Sequence, residues 1–173
     1  MCLAFVMPLD FSLNPGTRFA PAERESIDAI KAEQAALVGG GATAAILDTL
    51  RDPVAVVNGL RQIVHANRSF LEFAGAARLD DIQGMRLGEF LGCAHAGDAA
   101  GCGTHAGCQT CGAVNAVMTA AAGTEVSSET DLTVSSGGRE RQLRFAVTAA
   151  PFDTAGRRLV LMTIRGVRWG AKS

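Results

Sequence analysis

Residues 54–75 read VAVVNGLRQIVHANRSFLEFAG. Val54 to Val57 is an unbroken apolar run of strand-forming residues, too short for a helix of its own. Asn58-Gly59 is a dipeptide that tight turns favour, and Gln62 to His65 returns as a second strand. Asn67 is placed to cap a helix over 68–74, with Phe70, Leu71 and Phe73 packing inward and Gly75 closing it. Strand, turn, strand and helix in so short a stretch commit this part of the chain to a sheet with a helix laid on it.

Downstream, Leu79 to Ile82 and Leu87 to Leu91 read as two short helical turns separated by Gly84. A longer helix is expected from about Cys111 to Ala122, with Thr110 as N-cap, Val114, Val117 and Met118 on its core face, and Gly123 at its end. Cys111 then sits in a helix first turn, where the dipole and free amides favour a thiolate. Three strands finish the chain. Residues 124–134 alternate, with Val126, Leu132 and Val134 on one side, and Ser135-Ser136-Gly137-Gly138 makes a hairpin turn. Residues 139–150 put Leu143, Phe145, Val147 and Ala149 on one face. After a turn at 153–156, Leu159 to Ile164 is a near-continuous apolar strand, expected at the centre of the sheet.

Upstream, Asn14-Pro15-Gly16 marks a turn, and Pro21 suits the first position of a helix running to about Val38 and stopped by Gly39-Gly40-Gly41. Glu23 and Glu25 favour its first turn. Ile27, Ile30 and Leu37, with Gln34 between, form a short apolar seam that serves either a dimer or the helix's own domain. A second helix, 43–50, presents Ile46, Leu47 and Leu50 before Asp52-Pro53 ends it. The whole pattern is an α+β domain with one antiparallel sheet and helices on one face.

The chain has 173 residues, 48% of them hydrophobic and 19% charged, which is enough for one buried core. Its 16 basic and 17 acidic residues give a net charge of −1 and no basic stripe, so neither nucleic acid nor an anionic membrane is an expected partner. The opening MCLAFVMPLDFSL is apolar, but it lacks a charged leader and is broken by Pro8 and Asp10, so it reads as neither a signal peptide nor a spanning helix. The expected compartment is the cytoplasm. There, clustered cysteines more often bind metal or do redox chemistry than form structural disulfides.

Residues 92–112, GCAHAGDAAGCGTHAGCQTCG, hold four of the five cysteines, with gaps of eight, five and two residues. The stretch contains no Val, Ile, Leu, Met or Phe and is rich in Gly, so left alone it has little to bury and much backbone entropy to lose. A staple is required, and Cys93, Cys102, Cys108 and Cys111 are the candidates. Cys108 and Cys111 have the two-residue gap that lets two sulfurs share one ion, and Cys93 and Cys102 complete a four-thiolate set. Zinc, an iron–sulfur cluster and metal-free thiols or disulfides all remain open on spacing alone. No Lys or Arg occurs from Leu87 through Gly138, so the charge of such a site would be offset by backbone amides and a helix N-terminus. His95 and His105 are possible substitute ligands but read most simply as solvated loop residues. His65 reads as a partly exposed sheet residue, Met85 and Met118 as core, and Glu89, Asp98 and Glu125 as solvated. Cys2 is isolated and carries no expected role. No carboxylate pair or Ser-His-Asp set suggests an enzyme.

Three segments then carry a family resemblance. They are Ile46-Leu47-Asp48-Thr49-Leu50 leading into Asp52 to Val57; Ile63 to Asn67 with Phe70 to Gly75; and Ile82-Gln83-Gly84-Met85-Arg86-Leu87. With the closing strands around Ala149-Ala150-Pro151-Phe152, Gly156 and Leu159 to Ile164, residues 42–166 resemble a PAS domain. The cysteine stretch is similar to that of a subgroup of bacterial sensory PAS domains. The resemblance implies a five-stranded antiparallel sheet that cups a cofactor or small ligand against its helices. It also implies a signalling role sensing redox state, oxygen, light or small molecules and acting on a partner such as a histidine kinase. On this reading, 1–41 is an extension with a dimerisation helix, 42–166 the sensory domain with its cysteine loop at 92–112, and 167–173 a tail. The usual Asp-Ile-Thr exit is replaced by Arg165-Gly166-Val167, and the Asn-Cys-Arg motif of photoactive flavin domains is absent, which counts against that light chemistry. The chain is expected to be a stand-alone sensor or a piece of a longer protein. The competing functions are a thiol–disulfide redox protein using Cys108 and Cys111, and a zinc-stapled dimerisation or adaptor domain.

Overall fold

A computed structural model describes residues 17–97, 100–136 and 138–171. The opening apolar stretch, Cys2, the turn at 14–16 and Asp98 lie outside the described residues. The elements run α1 (Ile27–Val38), α2 (Ala42–Thr49), β1 (Val54–Val57), β2 (Ile63–Ala66), α3 (Arg68–Ala74), α4 (Leu87–Phe90), α5 (Gly112–Ala121), β3 (Val126–Ser136), β4 (Arg139–Thr154) and β5 (Arg157–Ala171). Single 3₁₀ turns at Leu79–Asp81 and Ala106–Thr110 complete them. The strands form one antiparallel sheet in the order β2-β1-β5-β4-β3. The apolar run expected at the centre is in the central strand, β5.

One face of the sheet carries the main core. Val57, Ile63, Leu143, Phe145, Val147, Val160, Met162 and Ile164 pack there against Phe70, Ala116, Val117 and Ala120. The period-two alternation of β4 and β5 creates this face, because odd and even residues point to opposite sides. The other face is covered by the N-terminal helix. Ile30 of α1 is fully buried against Val56, Val64 and Leu159, with Leu37 and Leu47 beside it. The seam of α1 is therefore spent on its own sheet, while Ile27 stays 46% exposed. Of the apolar residues in α2 only Leu47 faces the sheet; Ile46 is 63% exposed.

Several boundaries differ from the sequence expectation. The first helix begins at Ile27 with Ser26 as its N-cap, not at Pro21, because residues 17–25 are drawn into extended contacts with the cysteine loop instead. Glu23 and Glu25 thus precede the helix. The long helix is capped by Cys111, not Thr110, which closes the preceding 3₁₀ turn. Beyond Ile164, β5 continues to Ala171, so Trp169 pairs with Leu143 and Arg141 stacks over the indole ring at 4.6 Å. The turn from β4 to β5 is two residues, Ala155 and Gly156, both left-handed, as the right-handed twist of hairpins demands.

The candidate site at the cysteine loop

The loop is held by more than its sulfurs, which corrects the expectation that only a staple could order it. Cys93 bridges Val134 at the free edge of β3, with Ala94 N–H donating to Thr133 O at 2.8 Å and Ser135 N–H donating to Gly92 O at 2.9 Å. From the other side, the strap of residues 17–25 donates from Arg18 N to Thr104 O (2.8 Å) and from Ala20 N to Gly103 O (3.0 Å). Ala20 is fully buried with Cys108 and Val114. Backbone pairing thus supplies the order that the loop's apolar content cannot.

Cys93, Cys102, Cys108 and Cys111 all line one cavity of about 170 Å³. Val57, Leu87, Val117, Leu132 and Met162 form its apolar wall. That volume is far below the roughly 300–1,000 Å³ of pockets for drug-sized ligands and is on the scale of an ion or a very small molecule. All four thiols are free. Among the described residues, no three His, Cys, Asp or Glu side chains stand in the arrangement of a metal site. The thiols share a cavity without closing on a single point.

Their surroundings suit sulfur anions in part. Backbone amides reach three of the sulfurs: His95 and Ala96 donate to Cys93, Gly88 to Cys102, and Ala113 and Val114 at the start of α5 to Cys111. Burial nevertheless dominates. It pushes the Cys93 and Cys111 thiols up, and that of Cys102 to about 12, against the pull of these amides. The expectation of a low-pKa Cys111 is therefore reversed in the free protein, because desolvation outweighs the helix N-terminus.

Two glycines make the geometry. Gly112 lets α5 lie directly on β3, since a Cβ there would overlap the Glu129 carbonyl. Gly103, at φ +93°, leaves room for Arg61: a Cβ there would come within 2.9 Å of Arg61 Nε.

The charges that sequence reasoning missed come from outside the loop. Arg86 and Arg61 both line the cavity. Arg86 is fully buried and spends its donors on carbonyls: Nε on Leu60 (3.0 Å), Nη1 on Cys102 (3.3 Å) and Nη2 on Pro21, Ala22 and Glu23, the last at 2.6 Å. Burial lowers its pKa to about 10. Glu89, expected in solvent, is half-buried; it pairs with Arg24 and accepts from the amides of Arg86 (2.9 Å) and Cys102 (3.2 Å). Burial alone would raise its pKa, but the hydrogen bonds from Arg24 and those amides hold it low. The signal for these residues was available only as the Asn58–Gln62 turn and the Gly84–Leu87 segment, which the fold brings beside the loop.

The histidines divide. His95 is exposed at the cavity mouth and stacks on His105, ring centroids 4.5 Å apart, while His105 Nδ1 accepts from Gly107 N. His65 is buried rather than partly exposed. Met85 and Met118 are half-buried, and Glu125 is exposed as expected.

Residues 43–108 match the family model described as PAS domain. No curated protein matches the chain. Among solved structures, the PAS domain of nitrogen regulation protein NR(II) from Vibrio parahaemolyticus is similar at 16% identity and a TM-score of 0.50, covering 72% of this chain and 96% of that one. The PAS domain of an HTR-like protein from Haloarcula marismortui aligns at 14% identity and a TM-score of 0.48, covering 73% and 90%. A domain of a sensory box sensor histidine kinase/response regulator from Geobacter sulfurreducens aligns at 13% identity and a TM-score of 0.47, covering 72% and 92%. The family match spans the first two strands, the short helices and most of the cysteine loop, and the remaining strands complete the same sheet. The stretch 43–108 thus matches the PAS-domain model, and the chain has a PAS-like α+β fold.

Proposed function

We propose that this PAS domain is the sensory module of a signal-transduction protein. Its sensing element is the cysteine-lined cavity, which takes zinc or an iron–sulfur cluster through Cys93, Cys102, Cys108 and Cys111. The observation that carries this reading is that four cysteines, spread over residues 93–111, line one small cavity. Amides already directed at three of the sulfurs and two guanidinium groups on the same cavity suit a thiolate-bound centre. His95, at the mouth, is the nearest substitute ligand; His105 is engaged with Gly107.

The thiol–disulfide reading is disfavoured, because exchange needs an accessible, acidified thiol and burial here does the opposite. A zinc staple alone has less to explain, because the loop is already tied by backbone hydrogen bonds. Output runs to a partner of the histidine-kinase class, the context to which the PAS resemblance points. The homodimer contact belongs on the side of α1 where Ile27 is exposed, since Ile30 is occupied by the sheet. No helix among the described residues is long and apolar enough to cross a membrane.

Anaerobic purification followed by assay of zinc, iron and acid-labile sulfide tests the proposal. One metal centre per chain, lost when the four cysteines are changed to Ser, is the expected result. Metal-free protein whose absorption spectrum and folding are indifferent to those changes would overturn it.

A further inference from the structure

We propose that Arg61 is the charge partner of a dianionic thiolate centre in this cavity. The inference rests on the cysteine reading above and adds to it the charge of the centre and the residue that balances it.

Arg61 is only 5% exposed and lines the cavity. Its Nη2 donates to Pro21 O at 2.6 Å, whereas its Nε is buried without a hydrogen-bond partner. A desolvated guanidinium with a donor left unpaired is costly unless an anion faces it. Arg61 shares that cavity with Cys102 and Cys108, whose thiols become anionic when they bind a metal. Arg24 and Glu89 pair with each other, which leaves the cysteines as the groups on this cavity able to supply an anion to Arg61. Arg86 adds a second buried positive charge on the same cavity, but its donors are already spent on carbonyls.

The backbone supports a functional reading. Arg61 is one of two described non-glycine residues with positive φ, at +69°. Glycine would occupy that turn position without strain, yet a long cationic side chain is folded inward from it, and strain retained at such a place points to function. Four thiolates on a divalent zinc ion, or on an oxidised iron–sulfur cluster of charge two plus, both leave a dianion. Two buried guanidinium groups match either, so the inference concerns the charge and not the metal.

The test uses the full chain, prepared metal-free under anaerobic reducing conditions. Cobalt(II), as a zinc probe, and ferrous iron with sulfide are added separately, and thiolate-to-metal charge-transfer absorption is followed. Arg61→Gly removes the charge and relieves the backbone, so its metal-free thermal midpoint should hold or rise while affinity falls about tenfold or more. Arg61→Lys keeps the charge and should recover most of the loss. Whichever probe binds the wild type identifies the centre. Wild-type binding with Arg61→Gly equally tight overturns the role of Arg61 and leaves the cysteine site standing. Equal loss in the Gly and Lys variants also overturns it, by making the residue structural. A wild type that gives no thiolate-to-metal band with either probe overturns both readings together.

Discussion

Asn67 shows how one side chain can carry more than its sequence signal. The residue reads as a helix cap, and its Oδ1 does accept from Phe70 N at 2.9 Å. The same oxygen accepts from Val54 N at 2.9 Å, and its Nδ2 donates to the carbonyls of Leu47, Leu50 and Asp52. Asn67 is fully buried, so it ties α2, β1 and α3 together at one point. Asn67→Ala should cost about 3 kcal/mol or more, above the ~1 kcal/mol of a lost cap, because several buried groups lose their partner at once. Urea unfolding measures it, and a loss near 1 kcal/mol would mean that only the cap matters. His65 makes a second case. Burial lowers its pKa from 6.5, the nearby Asp48 only partly opposing. Above that value it is neutral folded and unfolded alike; below it the unfolded chain takes up a proton that the fold resists. Stability therefore falls as pH drops below 6.5, and His65→Gln should flatten that part of the acid limb in pH-dependent melts.

At the scale of elements, the order of strands and helices was legible because it rests on local signals. Asn58-Gly59, the apolar run of β5 and the glycine stops each act within a few residues. The strap of residues 17–25 was not legible. Its Pro21 and two glutamates satisfy helix-start rules, and only long-range partners, the carbonyls of Gly103 and Thr104 and the guanidinium of Arg86, make the extended form better. The length of β5 was missed for the same reason, since Gly166 and Gly170 look like breakers until β4 is there to pair with. Two measurements check the packing of elements. Gly112→Ala would force α5 off the β3 backbone and should cost about 1–3 kcal/mol, although alanine is the better helix former. Ile30→Ala should cost about 2–5 kcal/mol with no dependence on protein concentration, because the side chain is buried in its own chain. A concentration-dependent loss would instead place Ile30 itself at an interface between chains.

Across the whole molecule, the cysteine loop is fixed between the free edge of β3 and the strap that leads into α1. Arg61 and Arg86 connect the cavity, through the strap carbonyls, to the segment that leads into the helix covering the outer face of the sheet. The four cysteines were legible as a set from their spacing. Their positive counterparts were not, because Arg61 and Arg86 precede the loop and only the fold brings them to it. The loop's order was misjudged by counting apolar residues and neglecting backbone pairing. X-ray absorption at the metal edge of anaerobically purified protein tests the central claim most directly. A first shell of four sulfurs, at about 2.3 Å for zinc, is the result expected. Metal-free protein, or a metal ringed only by nitrogen and oxygen, would contradict it.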